Sequence, residues 1–171
     1  MKKVIVTYGI IAGIITGGLM LATMPLFVNG TLDHSNGFFI GMTGIVISLS
    51  LVFFGVKSYR DNQAEGTITF GKGLLIGLGI TMIACVFYVI AWEITYARSG
   101  DWFLEQWSND EIEKLKADGA TEADLQKAQT DWTSFVELYK NPIVRYGMTL
   151  MEIFPVGVLI SVLSAALLKK K

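Results

Sequence analysis

Four apolar stretches, each long enough to cross a bilayer, leave this chain few folds to choose from. The last of them, Tyr146 to Leu168, reads Y-G-M-T-L-M-E-I-F-P-V-G-V-L-I-S-V-L-S-A-A-L-L. A helical span needs about 20 mostly apolar residues at 1.5 Å each. Inside lipid every backbone amide and carbonyl must be satisfied within its own segment, so helices are the solution for a chain of this pattern. The other stretches begin after Lys2-Lys3, after the polar turn Asn29–Asn36, and after Lys72. The expected fold is an all-α membrane protein, a four-helix bundle with spans at about 4–28, 37–56, 72–97 and 144–168. A helical hairpin at about 98–142 is expected outside the cytoplasm, between spans three and four. The whole chain, 1–171, is read as one membrane domain.

The first apolar run also follows positive charge, as a secretory signal does. It is longer than the roughly 7–15 apolar residues of such signals and has no small-x-small cleavage pattern, so it reads as an uncleaved span. Gly9, Gly13 and Gly17 repeat at four-residue steps, and Gly73 and Gly77 do the same in the third span. Small residues at that spacing let helices approach closely, which is the main attraction between helices in lipid. The glycines of the first span fit packing inside the bundle; a homodimer seam is the other reading.

Residues Arg98 to Pro142 are different, with ten acidic and five basic residues, a net charge of −5. Ser108-x-x-Glu111 has the form of a capping box and Trp107 with Ile112 that of a hydrophobic staple, so one helix is expected to start there. Gly119 is suited to end it. Thr121-x-x-Asp124 then opens a second helix, in which Leu125, Ala128, Trp132, Phe135, Val136 and Tyr139 form one apolar stripe. Asn141-Pro142 ends that helix. The stripe is expected to lie on the bundle or on the lipid surface, because two short helices have little core of their own.

Charge placement gives an orientation. The two termini and the Lys57–Lys72 connection hold eight of the fourteen Lys and Arg, and the Asn29–Asn36 turn holds none. Basic residues of short loops stay on the cytoplasmic side. Both termini are therefore expected in the cytoplasm, in a multi-pass membrane protein.

Two carboxylates fall in or beside spans. Glu152 lies 17 residues from Lys169, about 25 Å along the helix, and Glu93 lies 21 residues from Lys72, about 31 Å. They can share a height if spans three and four are neighbours. A charge in a span is costly and is a candidate functional group by default. One reading makes Glu93 and Glu152 a cation or proton site; the other pairs them with Thr, Tyr, Trp, Arg98 or Arg145 near the outer surface. At the inner surface Lys57, Ser58, Tyr59, Arg60 and Asp61 are candidates for contact with lipid phosphate, against plain anchoring of the span.

The remaining chemistry is sparse. One cysteine, Cys85, and one histidine, His34, exclude an intrachain disulfide and a Cys/His zinc site. His34 beside Asp33 is weighed as a metal ligand, but a lone histidine in a short turn is more often solvated. Gly71-Lys72-Gly73 lacks the spacing of a phosphate loop. No Ser/His/Asp set can be built, no catalytic residue is named, and no motif calls for a cofactor. No basic patch stands apart from the membrane flanks, so a nucleic-acid partner is not expected.

The stretches G-V-K-S-Y-R-D (55–61), I-T-F-G-K-G (68–73), Y-V-I-A-W-E-I (88–94), Y-K-N-P (139–142) and M-E-I-F-P-V-G (151–157) resemble a bacterial family, the domain of unknown function 4199. The similarity runs over nearly the whole chain. It implies a small integral membrane protein of bacterial type, and so the bacterial cytoplasmic (inner) membrane, with no assigned activity. Lys57, Ser58, Tyr59, Arg60, Asp61, Glu93, Asn141, Pro142, Glu152 and Pro155 match the polar and proline positions of that family, which gives none of them a role. Two functions follow as expectations. The first is a non-catalytic membrane component that forms an oligomer or meets a membrane-protein partner through its hairpin. The second is a small oligomeric transporter or channel-like subunit that uses Glu93 and Glu152.

Overall fold

The structure is a computed structural model that describes residues 1–170, without the side chain of His34. Lys171, last of the terminal lysines, and the His34 imidazole weighed with Asp33 as a metal ligand lie outside the described residues. Five α-helices account for nearly all of the chain: α1 (Lys2–Val28), α2 (Gly37–Gln63), α3 (Phe70–Ala117), α4 (Glu122–Tyr139) and α5 (Pro142–Leu168). One turn of 3-10 helix, His34–Asn36, precedes α2. α1, α2, α3 and α5 are each long and apolar enough to cross a membrane. No strand is formed among the described residues; Ile68 and Lys170 make one isolated antiparallel bridge.

α3 is the central element, lying against α1 on one face and α5 on another, while α2 touches all three. Glycine sets these contacts. A Cβ on Gly13 would come within 2.6 Å of the Phe87 ring, and one on Gly9 within 2.8 Å of Ile83 Cβ. Gly17 meets Ala91 in the same way. The small-residue face of α1 is thus filled by α3, the packing-inside-the-bundle alternative. Gly73 and Gly77 receive Ala165 and Ser161 of α5. At that seam the buried hydroxyls of Thr81 and Ser161 lie 3.3 Å apart. Apolar side chains Ile45, Leu49, Val52, Val56, Ile76, Ile80 and Ile153 fill the space between.

Two contacts gather the chain ends. The Met1 amino group donates to Gln63 Oε1 (2.8 Å). The backbones of Ile68 and Lys170 exchange hydrogen bonds of 3.1 and 3.0 Å. Both termini and the α2–α3 connection therefore share one end of the bundle. Part of what reads as a 57–72 loop is helix, because α2 continues to Gln63 and carries Lys57 to Asp61 on its last turns. Gly66 makes the turn beyond it, at φ +79°.

The hairpin departs from expectation at its start. No new helix opens at Ser108; α3 runs on from the span to Ala117 and bends at Ser99 (φ −140°, ψ 16°). A Ser-Gly pair is a common site for such a bend. Gly100 suits it further, because a Cβ there would fall 2.8 Å from the Tyr96 ring. Ser108 and Glu111 are simply one turn apart within a helix that Phe103, Leu104 and Trp107 already hold. The second arm matches the sequence closely. Gly119 takes φ +80°, and Thr121 and Asp124 form a reciprocal capping box at the start of α4.

The apolar stripe of α4 lies on the outer arm of α3, rather than on lipid. Trp107 meets Trp132 at 5.3 Å and Phe135 at 5.2 Å between ring centroids. Phe103 joins Trp107 to Trp92 at the top of the span, and Tyr96 meets Tyr139. Edge-on ring pairs of this kind contribute about 0.5–1.5 kcal/mol each beyond the area they bury.

Candidate functional site

The polar groups in the half of the bundle nearest the hairpin fall into two tiers. The upper tier is built around Arg145, in the first turn of α5. Asn141 caps this helix, its side chain accepting from the Ile143 amide (3.0 Å), and Pro142 at the first position needs no donor. That cap fixes the phase of the helix and turns Arg145 inward, where its side chain is 6% exposed. Arg145 Nε donates to Glu93 Oε1 (2.6 Å) and Nη2 to Glu93 Oε2 (2.7 Å). Nη1 donates to the Tyr139 carbonyl (3.1 Å) and, more weakly, to that of Lys140 (3.4 Å). The guanidinium carbon stands 4.0 Å from the centroid of the Tyr96 ring.

Each contact suits the chemistry of the group. A guanidinium matches a carboxylate with two parallel N–H···O bonds. The carbonyls it meets close the end of α4, which has no intrahelical donors of its own for its last turn. A ring face attracts the cation in addition. Arg145 thus ties three elements together: α3 through Glu93 and Tyr96, the end of α4, and its own α5. The Tyr139 hydroxyl accepts from Trp92 Nε1 (2.9 Å), a second tie between α4 and α3. Burial pushes the Tyr139 phenol up to about 12, with the Trp92 bond and the Arg145 charge acting against it.

The lower tier is Glu152. It lies seven residues inward of Arg145 on the same helix, about 10 Å further from the outer end. The residue is exposed at the surface of the bundle, while its carboxyl group is turned in and largely enclosed, against the buried Tyr88 hydroxyl on α3. It forms no ion pair with any described residue. Three residues on, Pro155 sits inside α5 and leaves the Met151 carbonyl without its helical donor.

The structure does not bring Glu93 and Glu152 together as one site. Glu93 is held by Arg145, and Glu152 stands below it with Tyr88. Arg98, the other basic partner considered for these acids, is exposed beside the bend in α3. There a cleft of about 470 Å³ is lined by Val28, Arg98, Ser99, Asp101 and Trp102 among others. Thr95, one turn below the bend, has a buried hydroxyl without a hydrogen-bond partner. The inner-surface candidates lie at the far end of the molecule. Arg60 Nε donates to Asp61 Oδ1 (2.7 Å), Tyr59 is buried in the core, and Lys57 is exposed. Among the described residues no group of three or more His, Cys, Asp or Glu side chains is gathered as a metal cluster.

Sequence reasoning offered tyrosine among the partners of the acids but did not single out Tyr88, Tyr96 or Tyr139. Their signal was present as aromatic residues close to the span ends, but it reads equally well as an interfacial belt.

Four apolar spans and an aromatic-packed helical hairpin define a small multi-pass α-helical membrane protein. The chain belongs to the family described as protein of unknown function (DUF4199), whose profile matches residues 7–170. No curated protein and no solved structure matches it.

Proposed function

We propose that the protein is a non-catalytic component of the bacterial cytoplasmic membrane that works by assembling with other membrane chains or with itself. In this reading residues 1–171 are one membrane domain, both termini lie in the cytoplasm, and the acidic hairpin lies outside. The lysines gathered at the terminal end of the bundle support that orientation, since basic residues of short loops are retained inside. Assembly rests on one observation: Glu152 lies on the exposed side of a membrane-spanning helix with no ion-pair partner among the described residues. A carboxylate in contact with hydrocarbon is costly, and a second protein surface removes that contact. Cross-linking in intact membranes tests the reading. The expected result is a species heavier than the 18.8 kDa chain; a chain that stays monomeric at native abundance would refute it.

A second reading, an oligomeric transporter or channel-like subunit, draws support from Pro155 and the Met151 carbonyl beside Glu152, since loosened backbone next to an acid is a means of coordinating cations. It concerns Glu152 alone, because Glu93 is already neutralised by Arg145. Proton or cation flux in proteoliposomes that is the same for Glu152→Gln and the native protein would end it.

A further inference from the structure

The assembly reading leaves open which surface is used and what it meets; the surroundings of Glu152 bear on both. Between residues 4–28 and 37–56 the first two spans carry no charged residue. The charged groups of the other two, apart from Lys72 at the end of the third span away from the hairpin, are Glu93, Arg145 and Glu152. Glu93 and Arg145 form a two-point pair, so a single acid is left over.

Its place on α5 is equally specific. Arg145, Thr149, Ile153, Gly157 and Ser161 form the buried face of that helix. Met148, Met151, Pro155 and Leu159 are exposed and surround Glu152 at helical spacing. Methionine is unbranched and adapts to an irregular partner surface. The patch is therefore apolar and pliable, with one carboxylate at its centre whose inner side is met by the Tyr88 hydroxyl.

What complements its charge is a cation at the same depth. A second copy of this chain brings none. Its first two spans are uncharged and its Arg145 is taken by its own Glu93. A two-fold axis through the patch would set Glu152 against Glu152, and like charges in close contact cannot both stay ionised. We propose that the Glu152 face of α5 docks a transmembrane helix of a different protein, one that carries a lysine or arginine in the outer half of the membrane. This assignment rests on the assembly role proposed above and adds the surface and the chemistry of the partner.

The test uses the full-length protein in phosphatidylcholine vesicles, labelled with a fluorescent donor in the hairpin turn. Acceptor-labelled leucine-alanine transmembrane peptides are the probes. One carries no charge, one a lysine about 15 Å below its outer end, level with Glu152, and one a lysine in the inner half. The matched-lysine peptide is expected to associate about tenfold more tightly than the uncharged one, the size of an interhelical polar contact. Glu152→Gln is expected to abolish that preference and Glu152→Asp to keep part of it, with unchanged tryptophan fluorescence showing that both variants fold. Equal association of the three peptides overturns the proposal. So does Glu152-dependent self-association without peptide, which makes a second copy the occupant. Glu152-dependent binding of tetraphenylphosphonium with no preference among peptides also overturns it, in favour of a small organic cation. If peptide selectivity fails while a cross-linked complex is found in native membranes, this assignment falls and the assembly role stands; a monomer in native membranes removes both.

Discussion

Replacing Arg145 by methionine should release the hairpin from the bundle while leaving the four spans packed. The arginine makes two short bonds to Glu93 (2.6 and 2.7 Å), reaches the carbonyls that end α4, and covers the Tyr96 ring. Breaking one side of a buried ion pair costs about 3–5 kcal/mol, mostly from the charge left behind. Here the Glu93 side chain is 28% exposed, so water recovers part of that cost. The loss of the pair is then about 2 kcal/mol. The lost cation–ring contact adds about 0.5–1 kcal/mol. The sum, about 3 kcal/mol, shifts the docking equilibrium of the hairpin roughly 150-fold.

The molecule carries its own reporter for this. All four tryptophans, Trp92, Trp102, Trp107 and Trp132, lie at the outer end of α3 or on α4. Their fluorescence therefore follows the hairpin, while circular dichroism follows the helices of the whole chain. In denaturant titrations in bicelles, Arg145→Met should bring the fluorescence transition to lower denaturant and separate it from the dichroism transition. Arg145→Lys should recover only part of the loss, since an ammonium keeps the charge without the planar fork. Arg145→Met combined with Glu93→Gln should be more stable than the sum of the single effects implies, by at least about 1 kcal/mol. Additive single effects, or a shift below about 0.5 kcal/mol, would refute the argument and make the aromatic rings the holding element.

Three other outcomes follow from particular contacts. Gly13→Leu should destabilise the α1–α3 seam by about 1–3 kcal/mol in the same titration, because its new Cβ falls on the Phe87 ring, whereas Gly18→Leu, which points into open space, should have little effect. The Thr121 hydroxyl holds the Asp124 carboxyl below its ordinary value. Its contribution to the α4 start is complete above the unfolded carboxylate value near 3.8 and is lost as pH falls through the lowered one. Amide protection at residues 122–125, taken relative to the intrinsic exchange rate at each pH, should therefore fall on acidification, and should be low and largely independent of pH in Thr121→Ala. A cysteine placed at Asp118 should react with an impermeant maleimide added outside cells, and one at Gly66 only after the cells are opened; the native Cys85 is buried and contributes little background. The reverse pattern would invert the proposed orientation.

Much of this architecture is legible in the sequence because the bilayer enforces it. Length and polarity alone fix four helices, and glycine spacing picks out which faces meet. The capping box at Thr121 is readable for the same reason that it works, since its two partners are three residues apart and need no tertiary context. Ser108-x-x-Glu111 carries the same local pattern and is not a cap. The choice between cap and helix interior was made by distant groups: Trp132 and Phe135 hold Trp107, and the Ser99-Gly100 pair takes up the change of direction. The partner of Glu93 was narrowed by sequence to a few candidates, Arg98 and Arg145 among them. Only the phase of α5, set by the Asn141 cap, turns Arg145 inward.

The two acids also show why depth is a poor guide to role. Glu93 and Glu152 look alike as carboxylates near the outer ends of adjacent spans, yet the fold treats them oppositely. Glu93 is enclosed by a cation that simultaneously closes the end of α4, so its charge does mechanical service within the chain. Glu152 meets a hydroxyl instead of a cation, from a position on the exposed side of α5. An exposed Leu or Ala at that position would suit lipid better than a carboxylate, at the cost of the contact that Glu152 makes with the buried Tyr88 hydroxyl across the α3–α5 seam. The acid therefore serves either that internal contact or something beyond the chain that meets it, and Glu152→Leu separates the two possibilities. It should leave the denaturation midpoint unchanged or raised while removing whatever contact the native membrane supplies. A Glu152→Leu protein that unfolds more readily in bicelles would show that the carboxylate serves the bundle through Tyr88, and the case for an external partner would fail with it.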